Sequence, residues 1–219
     1  MTGQAAELSL ETAPKRLELL HELLPAMGVA GLLVNPTDPG FADVPTMESA
    51  ARKLGIQLHV LRASAERDFD GVFASLSQLQ AGGLIISPGA VFLNHSEQLA
   101  ELALRRRLPA IYEYRRFAAA GGLASYGGDI TEAYRLAGVY SGRILKGEKP
   151  GDLPVQQSTK VELIINLKTA KALGITVPIP LLGHRPPAAG SYGEAAYGVG
   201  THIVNFLDRS EERDRRNSH

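Results

Sequence analysis

The chain has 219 residues, 44% of them hydrophobic and 21% charged, which is typical of a globular protein with a core. Lys plus Arg equals Asp plus Glu at 23 each, so no net charge would attract a nucleic acid or an anionic membrane surface. Cysteine is absent, which excludes disulfides, thiolate metal sites and cysteine nucleophiles. We therefore expect no nucleic-acid partner.

The first residues do not have the pattern of a secretory signal, in which an apolar stretch follows a basic one. No stretch approaches the ~18 consecutive apolar residues of a membrane-spanning helix. These observations predict a cytoplasmic location for the chain if it is expressed as written.

The first half of the sequence alternates between two patterns. Leucines at helical spacing predict a helix over residues 15–24, and the apolar run at 29–34 predicts a buried strand. The unit then repeats, with helices ending near 54 and over 68–79 and 96–106, and strands over 57–61, 83–86 and 109–112. Strands alternating with helices predict an α/β fold, with a parallel sheet flanked by helices.

The second half changes character after residue 114. The Gly-rich run at 121–128 predicts a crossing segment, and a helix follows it to residue 145, where Lys-Gly ends it. We expect an extended connection at 150–159, a strand at 161–165 and a short helix at 168–173. The proline-rich residues 178–187 are expected to break all regular structure.

None of the motifs that carry catalytic or cofactor chemistry is complete. The glycine run lacks the Gly-x-Gly-x-x-Gly spacing of nucleotide-binding loops, and no Gly-x-Ser-x-Gly elbow occurs. The histidines at 21, 59, 95, 184, 202 and 219 lack the spacing of metal ligands. We predict no cofactor, no metal and no catalytic residue.

Polar side chains follow three of the predicted strands. Asn35 and Pro36 come after the first strand, Ser87 after the third, and Tyr112 and Glu113 close the fourth. Ligands of parallel α/β sheets bind at the carboxyl ends of strands, so these residues are candidates for a small polar solute. Glu113 is suited to an ammonium group and Tyr112 to a ring. The alternative, that Asn35 and Ser87 only cap the next turns, stays open.

Several collinear stretches between about residues 14 and 182 resemble one family. They are the stretches at 15–20, 33–36, 111–117, 121–127, 144–157 and 162–174. Together they resemble the ABC-type substrate-binding proteins that include tryptophan and tyrosine binders. The resemblance implies a type I periplasmic-binding-protein fold, with two Rossmann-like α/β lobes joined by a hinge crossover and a solute held between them. It also implies permease subunits as membrane partners and a periplasmic or cell-surface location.

Carried onto this chain, the resemblance divides it into four parts. Residues 15–122 correspond to the C-terminal lobe, 123–160 to the hinge crossing and a helix of the first lobe, and 161–182 to the return strand and helix. Residues 183–219 do not match the family, and we expect them to form a disordered tail. Ser125 and Tyr126, at the return crossing, join the candidate ligand-binding residues.

The chain departs from this family at its beginning, because relatives start with a signal peptide and a first lobe of roughly a hundred residues. We therefore expect a truncated protein whose helix at 130–145 exposes an apolar face and favours self-association. The expected function is the solute-binding component of an ABC-type import system, with an aromatic amino acid as the solute. The alternatives are a ligand-sensing regulatory module and an α/β hydrolase-like enzyme.

Overall fold

The computed structural model describes residues 2–38, 44–128, 130–153, 161–182 and 201–206. The strands are β1 Val29–Val34, β2 Gln57–Arg62, β3 Gly83–Ile86, β4 Ala110–Tyr112, β5 Ala124–Gly128, β6 Val161–Asn166 and β7 Thr201–Phe206. The helices are α1 Thr2–Leu23, α2 Val44–Leu54, α3 Phe69–Gln78, α4 Ala90–Asn94, α5 Ser96–Arg105, α6 Arg115–Ala119, α7 Ile130–Leu145, α8 Leu167–Leu173 and α9 Ile179–Leu182. Short 3₁₀ turns lie at Glu66–Asp68 and Pro150–Asp152.

The described strands form one sheet in the order β2-β1-β3-β4-β5-β6-β7. Strands β1 to β5 pair in parallel, whereas β6 runs antiparallel to β5 and parallel to β7. The predicted α/β fold with a mostly parallel, helix-flanked sheet is confirmed. Because β1 lies between β2 and β3, the chain leaves β1 on one side and returns on the other, which creates a switch point between β1 and β3.

Each face of the sheet carries its own hydrophobic cluster. The cluster on one face joins β1, β3 and β4 to α1 and α2, and the cluster on the other face joins them to α3, α5 and α6. All four residues of β3 are buried, and so are the three of β4. Burial on both faces explains why these strands are continuous apolar runs rather than alternating ones.

Helix α1 is longer than the sequence predicts, because it begins at Thr2 and contains Pro14. A proline inside a helix removes one backbone hydrogen bond. The buried residues Ala13, Leu17 and Leu20 nevertheless continue one apolar stripe across it. Ala13 thus packs in the same hydrophobic cluster as Leu17 and Leu20, directly before Pro14.

The glycine-rich run forms the turn before β5 and then β5 itself, so part of the predicted crossing segment is a strand of the sheet. Gly121 has a φ of 105°, a conformation that favours glycine. Gly122 packs directly on the ring of fully buried Phe117, and a methyl group there would lie 2.7 Å from its Cζ. The glycines are therefore needed for space as well as for backbone freedom.

Short elements in the C-terminal part differ from the expectation. The prediction that residues 178–187 contain no regular structure is wrong at α9, whose first turn is closed by Leu181 N–H donating to the Pro178 carbonyl at 3.0 Å. Strand β7 pairs with β6 along its whole length, although it lies in the range 183–219 that was expected to be a disordered tail. The other residues of that range lie outside the described residues.

Because Gly122 lies so close to the Phe117 ring, we expect a single added methyl group to destabilise the fold. Gly122→Ala should lower the free energy of unfolding by about 1–3 kcal/mol, because the Phe117 ring must move within a packed core. Gly28→Ala is the matched control, since Gly28 is exposed and has open space around it. Urea unfolding of both variants measures the difference, and equal midpoints would contradict this account.

Candidate functional site

The three loops that follow β1, β3 and β4 lie side by side at one edge of the sheet. The hydroxyl of Tyr112, at the end of β4, donates to the carbonyl of Gly89, in the loop after β3, at 3.4 Å. A side chain at Gly89 would overlap the carboxylate of Asp38, in the loop after β1. The loops therefore touch in the same order as their strands, on both sides of the switch point.

Asn35 is buried, and its side chain organises the loop after β1. Its Oδ1 accepts from the Thr37 N–H at 3.1 Å and from the Thr37 hydroxyl at 2.9 Å, and its Nδ2 donates to Asp38 Oδ2 at 3.0 Å. Pro36 is exposed on top of this turn. Asn35 thus stabilises the turn, as the alternative interpretation of the sequence holds, and positions Asp38 against Gly89.

Ser87 differs from Asn35, because its hydroxyl has no hydrogen-bond partner among the described residues although Ser87 is only 4% exposed. Its backbone N–H donates to the Leu33 carbonyl at 2.9 Å, which continues the pairing of β1 with β3. The side chain therefore does not cap a turn. It lines a small cleft together with Val34, Met47 and Arg16.

Arg16, on α1, lines the same cleft as Ser87, and it was not among the candidates that the sequence indicated. It is 1% exposed, and its Nη1 donates to the Tyr126 carbonyl on β5 at 3.2 Å. The signal was present in the sequence, because position 16 falls within the buried stripe of Ala13, Leu17 and Leu20. A cation at a core position of an amphipathic helix needs polar partners inside the protein.

Tyr112 is fully buried, and its ring contributes to the core. The ring meets Tyr114 edge-on at a centroid distance of 5.5 Å and Phe117 at 5.9 Å. Burial, followed by the nearby Tyr114 and the Glu113 carboxylate, raises the pKa of Tyr112 well above its usual value. Only the hydroxyl of this residue reaches the neighbouring loop.

The remaining candidate residues lie where β4 meets β5. Ser125 is buried and pairs with Tyr112 across the two strands. Tyr126 is partly buried against the cluster on the α1 side of the sheet. Glu113 is half-buried and packs on Gly127, where an added methyl would lie 2.6 Å from the Glu113 carbonyl oxygen. Gly127 thus leaves the space that Glu113 occupies.

The described residues contain neither a metal-binding cluster nor a membrane-spanning helix. Within the described ranges, no group of three His, Asp or Glu side chains is placed to hold a metal ion. No helix in this part of the chain is long and apolar enough to cross a bilayer.

The class of this fold is a mostly parallel α/β sheet with polar loops beside its switch point, which is the place where ligands of such sheets bind. The family model described as ABC transporter substrate binding protein matches residues 2–185, and the chain belongs to this family. The resemblance inferred from the sequence is confirmed.

The chain is similar to a curated relative and to solved structures. It is 24% identical over 174 residues to a tyrosine-binding protein of Clostridioides difficile (strain R20291), which is 79% of this chain and 49% of the relative. The structure of an ABC domain in complex with L-Trp from Streptococcus pneumonia superposes with a TM-score of 0.69 at 22% identity, covering 78% of this chain and 59% of that one.

A conserved domain protein from Vibrio cholerae O1 biovar El Tor has a TM-score of 0.68 at 24% identity, with 78% of this chain and 57% of that chain covered. These likenesses show the periplasmic-binding-protein fold. The chain spans about half the length of the curated relative that it matches.

The burial of Tyr112 predicts a late phase in alkaline titration. Its phenol should remain protonated at pH values where an ordinary tyrosine with a pKa of about 10 ionises. Because the unfolded chain loses this proton first, the free energy of unfolding should fall as the pH rises above about 10. Ultraviolet titration of the seven tyrosines measures the effect, and Tyr112→Phe should remove the late phase. A profile unchanged by this substitution would contradict the assignment.

Proposed function

We propose that this chain binds a small organic solute at the carboxyl edge of its sheet, as the solute-binding component of an ABC-type import system. The observation that carries the proposal is the contact between the loops after β1 and β3 and the end of β4, beside the switch point. There the buried Ser87 hydroxyl has no partner among the described residues. Membership of the ABC transporter substrate binding protein family supports it.

An aromatic amino acid is the solute class that we propose. The support comes from similar proteins, since one is a tyrosine-binding protein and another was solved in complex with L-Trp. In this chain, the half-buried carboxylate of Glu113 is suited to pair with the ammonium group of such a solute. Asn35, Pro36, Tyr112 and Ser125 shape the surrounding wall rather than contact the solute.

The partners in this proposal are the membrane permease subunits of the transporter, which would bind the solute-loaded protein in the periplasm or at the cell surface. The described loops form one wall of the solute cleft. The chain spans about half the length of the curated relative that it matches. We propose that a second lobe forms the opposite wall of the cleft and closes over the solute.

Binding by the full chain can be tested by thermal shift and calorimetry with L-tyrosine, L-tryptophan and L-phenylalanine, against L-alanine as a small apolar comparison. Aromatic amino acids should raise the melting temperature, with about 2.7 kcal/mol of stabilisation when the ligand reaches 100 times its Kd. Glu113→Gln should weaken binding about tenfold, because it removes a charge-assisted hydrogen bond while keeping the shape of the side chain.

Glu101→Gln is the control for this substitution, since Glu101 lies on the surface of α5 and pairs with Arg105 at 3.7 Å. Equal affinity of the wild-type chain and Glu113→Gln would reject the role of Glu113. A cooperative melting transition that none of the amino acids moves would reject the proposed solute class.

Self-association is a further part of the proposal. Helix α7 exposes three large apolar side chains in its last two turns, Val139, Ile144 and Leu145. Light scattering after gel filtration should show a mass that rises with concentration, and Leu145→Ser should reduce this rise. Ile179→Ser, at an equally exposed residue of α9, should not. A monomeric mass at all concentrations would reject self-association.

A further inference from the structure

Strand β6 has two edges, and its backbone amides divide between them. The Asn166 N–H donates to the carbonyl of Leu123, directly before β5, at 2.8 Å. Because successive amides of a strand point to opposite sides, the N–H of Ile164 also faces β5, whereas those of Leu163 and Ile165 face away from it. We call the edge that faces away from β5 the outer edge of β6. Its donors and acceptors need a partner within the fold or from another chain.

The residues of β6 are typical of a strand that pairs readily. Its one charged side chain, Glu162, is only 16% exposed and forms an ion pair with Arg115 on α6 at 3.7 Å. Charged side chains that project from an edge strand hinder pairing with another chain, but this charge is already held against a helix. The apolar residues of β6 are each 4% exposed or less: Val161, Leu163, Ile164 and Ile165. Apolar, β-branched segments of this kind are prone to add further strands.

The other end of the sheet has a different kind of edge strand. Strand β2 begins at Gln57 and ends at Arg62, and both of these residues are exposed. The four residues between them are partly exposed. Polar and charged residues on an edge strand are a common protection against strand addition. The outer edge of β6 lacks this protection, so it depends more on being covered.

Strand β7 covers the outer edge of β6 completely. All six residues of β6 pair in parallel with β7, from Val161 with Thr201 to Asn166 with Phe206. The chain passes through α8 and α9 between the two strands, since a parallel pair requires a long connection, and α9 lies against β7. The family model matches residues 2–185, so β7 lies outside the matched range. The partner of this edge therefore comes from a part of the sequence that the family model does not describe.

We propose that the outer edge of β6 is a strand-binding surface and that residues 201–206 are its intramolecular occupant. By pairing there, β7 prevents a second copy of the chain from adding a strand to the sheet. Linkage within one chain favours this occupant, because it gives β7 a higher effective concentration at the edge than a strand of another copy has. This surface is distinct from the loops of the candidate solute site and from α7.

Hydrogen exchange of the full chain, followed by NMR, reports on the two edges of β6 separately. The amides of Leu163 and Ile165, which face β7, should exchange within about tenfold of the rate of the Ile164 amide, which faces β5. Fast exchange of Leu163 and Ile165 beside slow exchange of Ile164 would overturn the proposal, because the outer edge would then be open.

Proline at two adjacent positions of β7 provides a matched pair of variants. Since successive N–H groups point to opposite edges, only one of Ile203 and Val204 donates toward β6. Ile203→Pro and Val204→Pro therefore differ in whether they remove a donor to β6 or one at the free edge, where proline is tolerated. One variant should speed the exchange of Leu163 and Ile165 at least about tenfold and leave Ile164 unchanged. The other should behave as the wild-type chain. Equal effects of the two prolines, or no effect of either, would overturn the pairing.

Light scattering after gel filtration tests whether the opened edge binds a second copy. The proline variant that exposes β6 should increase in mass with concentration more steeply than the wild-type chain. The same difference should persist when both chains also carry Leu145→Ser, because Leu145 lies on α7 and not at the edge of the sheet. An unchanged mass would overturn the strand-binding surface, even with β7 detached. Loss of the difference in the Leu145→Ser background would assign the association to α7 and would overturn it as well.

Discussion

The position of β1 between β2 and β3 is the constraint on which the site depends. From β1 the chain moves outward through α2 to β2, and it returns through α3 on the opposite face to β3. The loops after β1 and β3 therefore leave their neighbouring strands in different directions. The gap between them is where side chains from both loops and from α1 meet without filling the space.

Helix α1 lies along one side of this gap, and its buried residue Arg16 faces the gap. It packs across β3, β4 and β5, and Arg16 joins it to β5 through the Tyr126 carbonyl. Removing a guanidinium from water costs several kcal/mol, which packing of the apolar stripe alone would not require. An apolar residue at this position would continue the stripe at no such cost. A buried guanidinium needs polar partners within the fold, and the Tyr126 carbonyl is one of them.

The parts of the fold that the sequence predicts well are those in which burial decides the local pattern. Strands β1 and β3 are covered on both faces, so their sequences are short, continuous apolar runs. Runs of this length are typical of buried strands and are too short for a typical helix. Strand β5 was missed because its glycines leave space for neighbouring side chains, a reason that only the packing reveals. The start of α1 was misplaced because Pro14, which the sequence suggests as a helix start, lies inside the helix. In the candidate site, the ends of the predicted strands correctly indicated which loops lie together. Arg16 could not be found in this way, because it lies on a helix that is distant in sequence from these loops.

The candidate polar residues differ in whether their polar groups already have partners inside the protein. A polar group without such a partner is the better candidate for contact with a ligand. The side-chain amide of Asn35 forms hydrogen bonds with Thr37 and Asp38. The ring of Tyr112 packs against the rings of Tyr114 and Phe117. Their chemistry is used within the protein, so their polarity does not indicate a solute. The Ser87 hydroxyl has no hydrogen-bond partner among the described residues, although burial makes an unmade hydrogen bond costly.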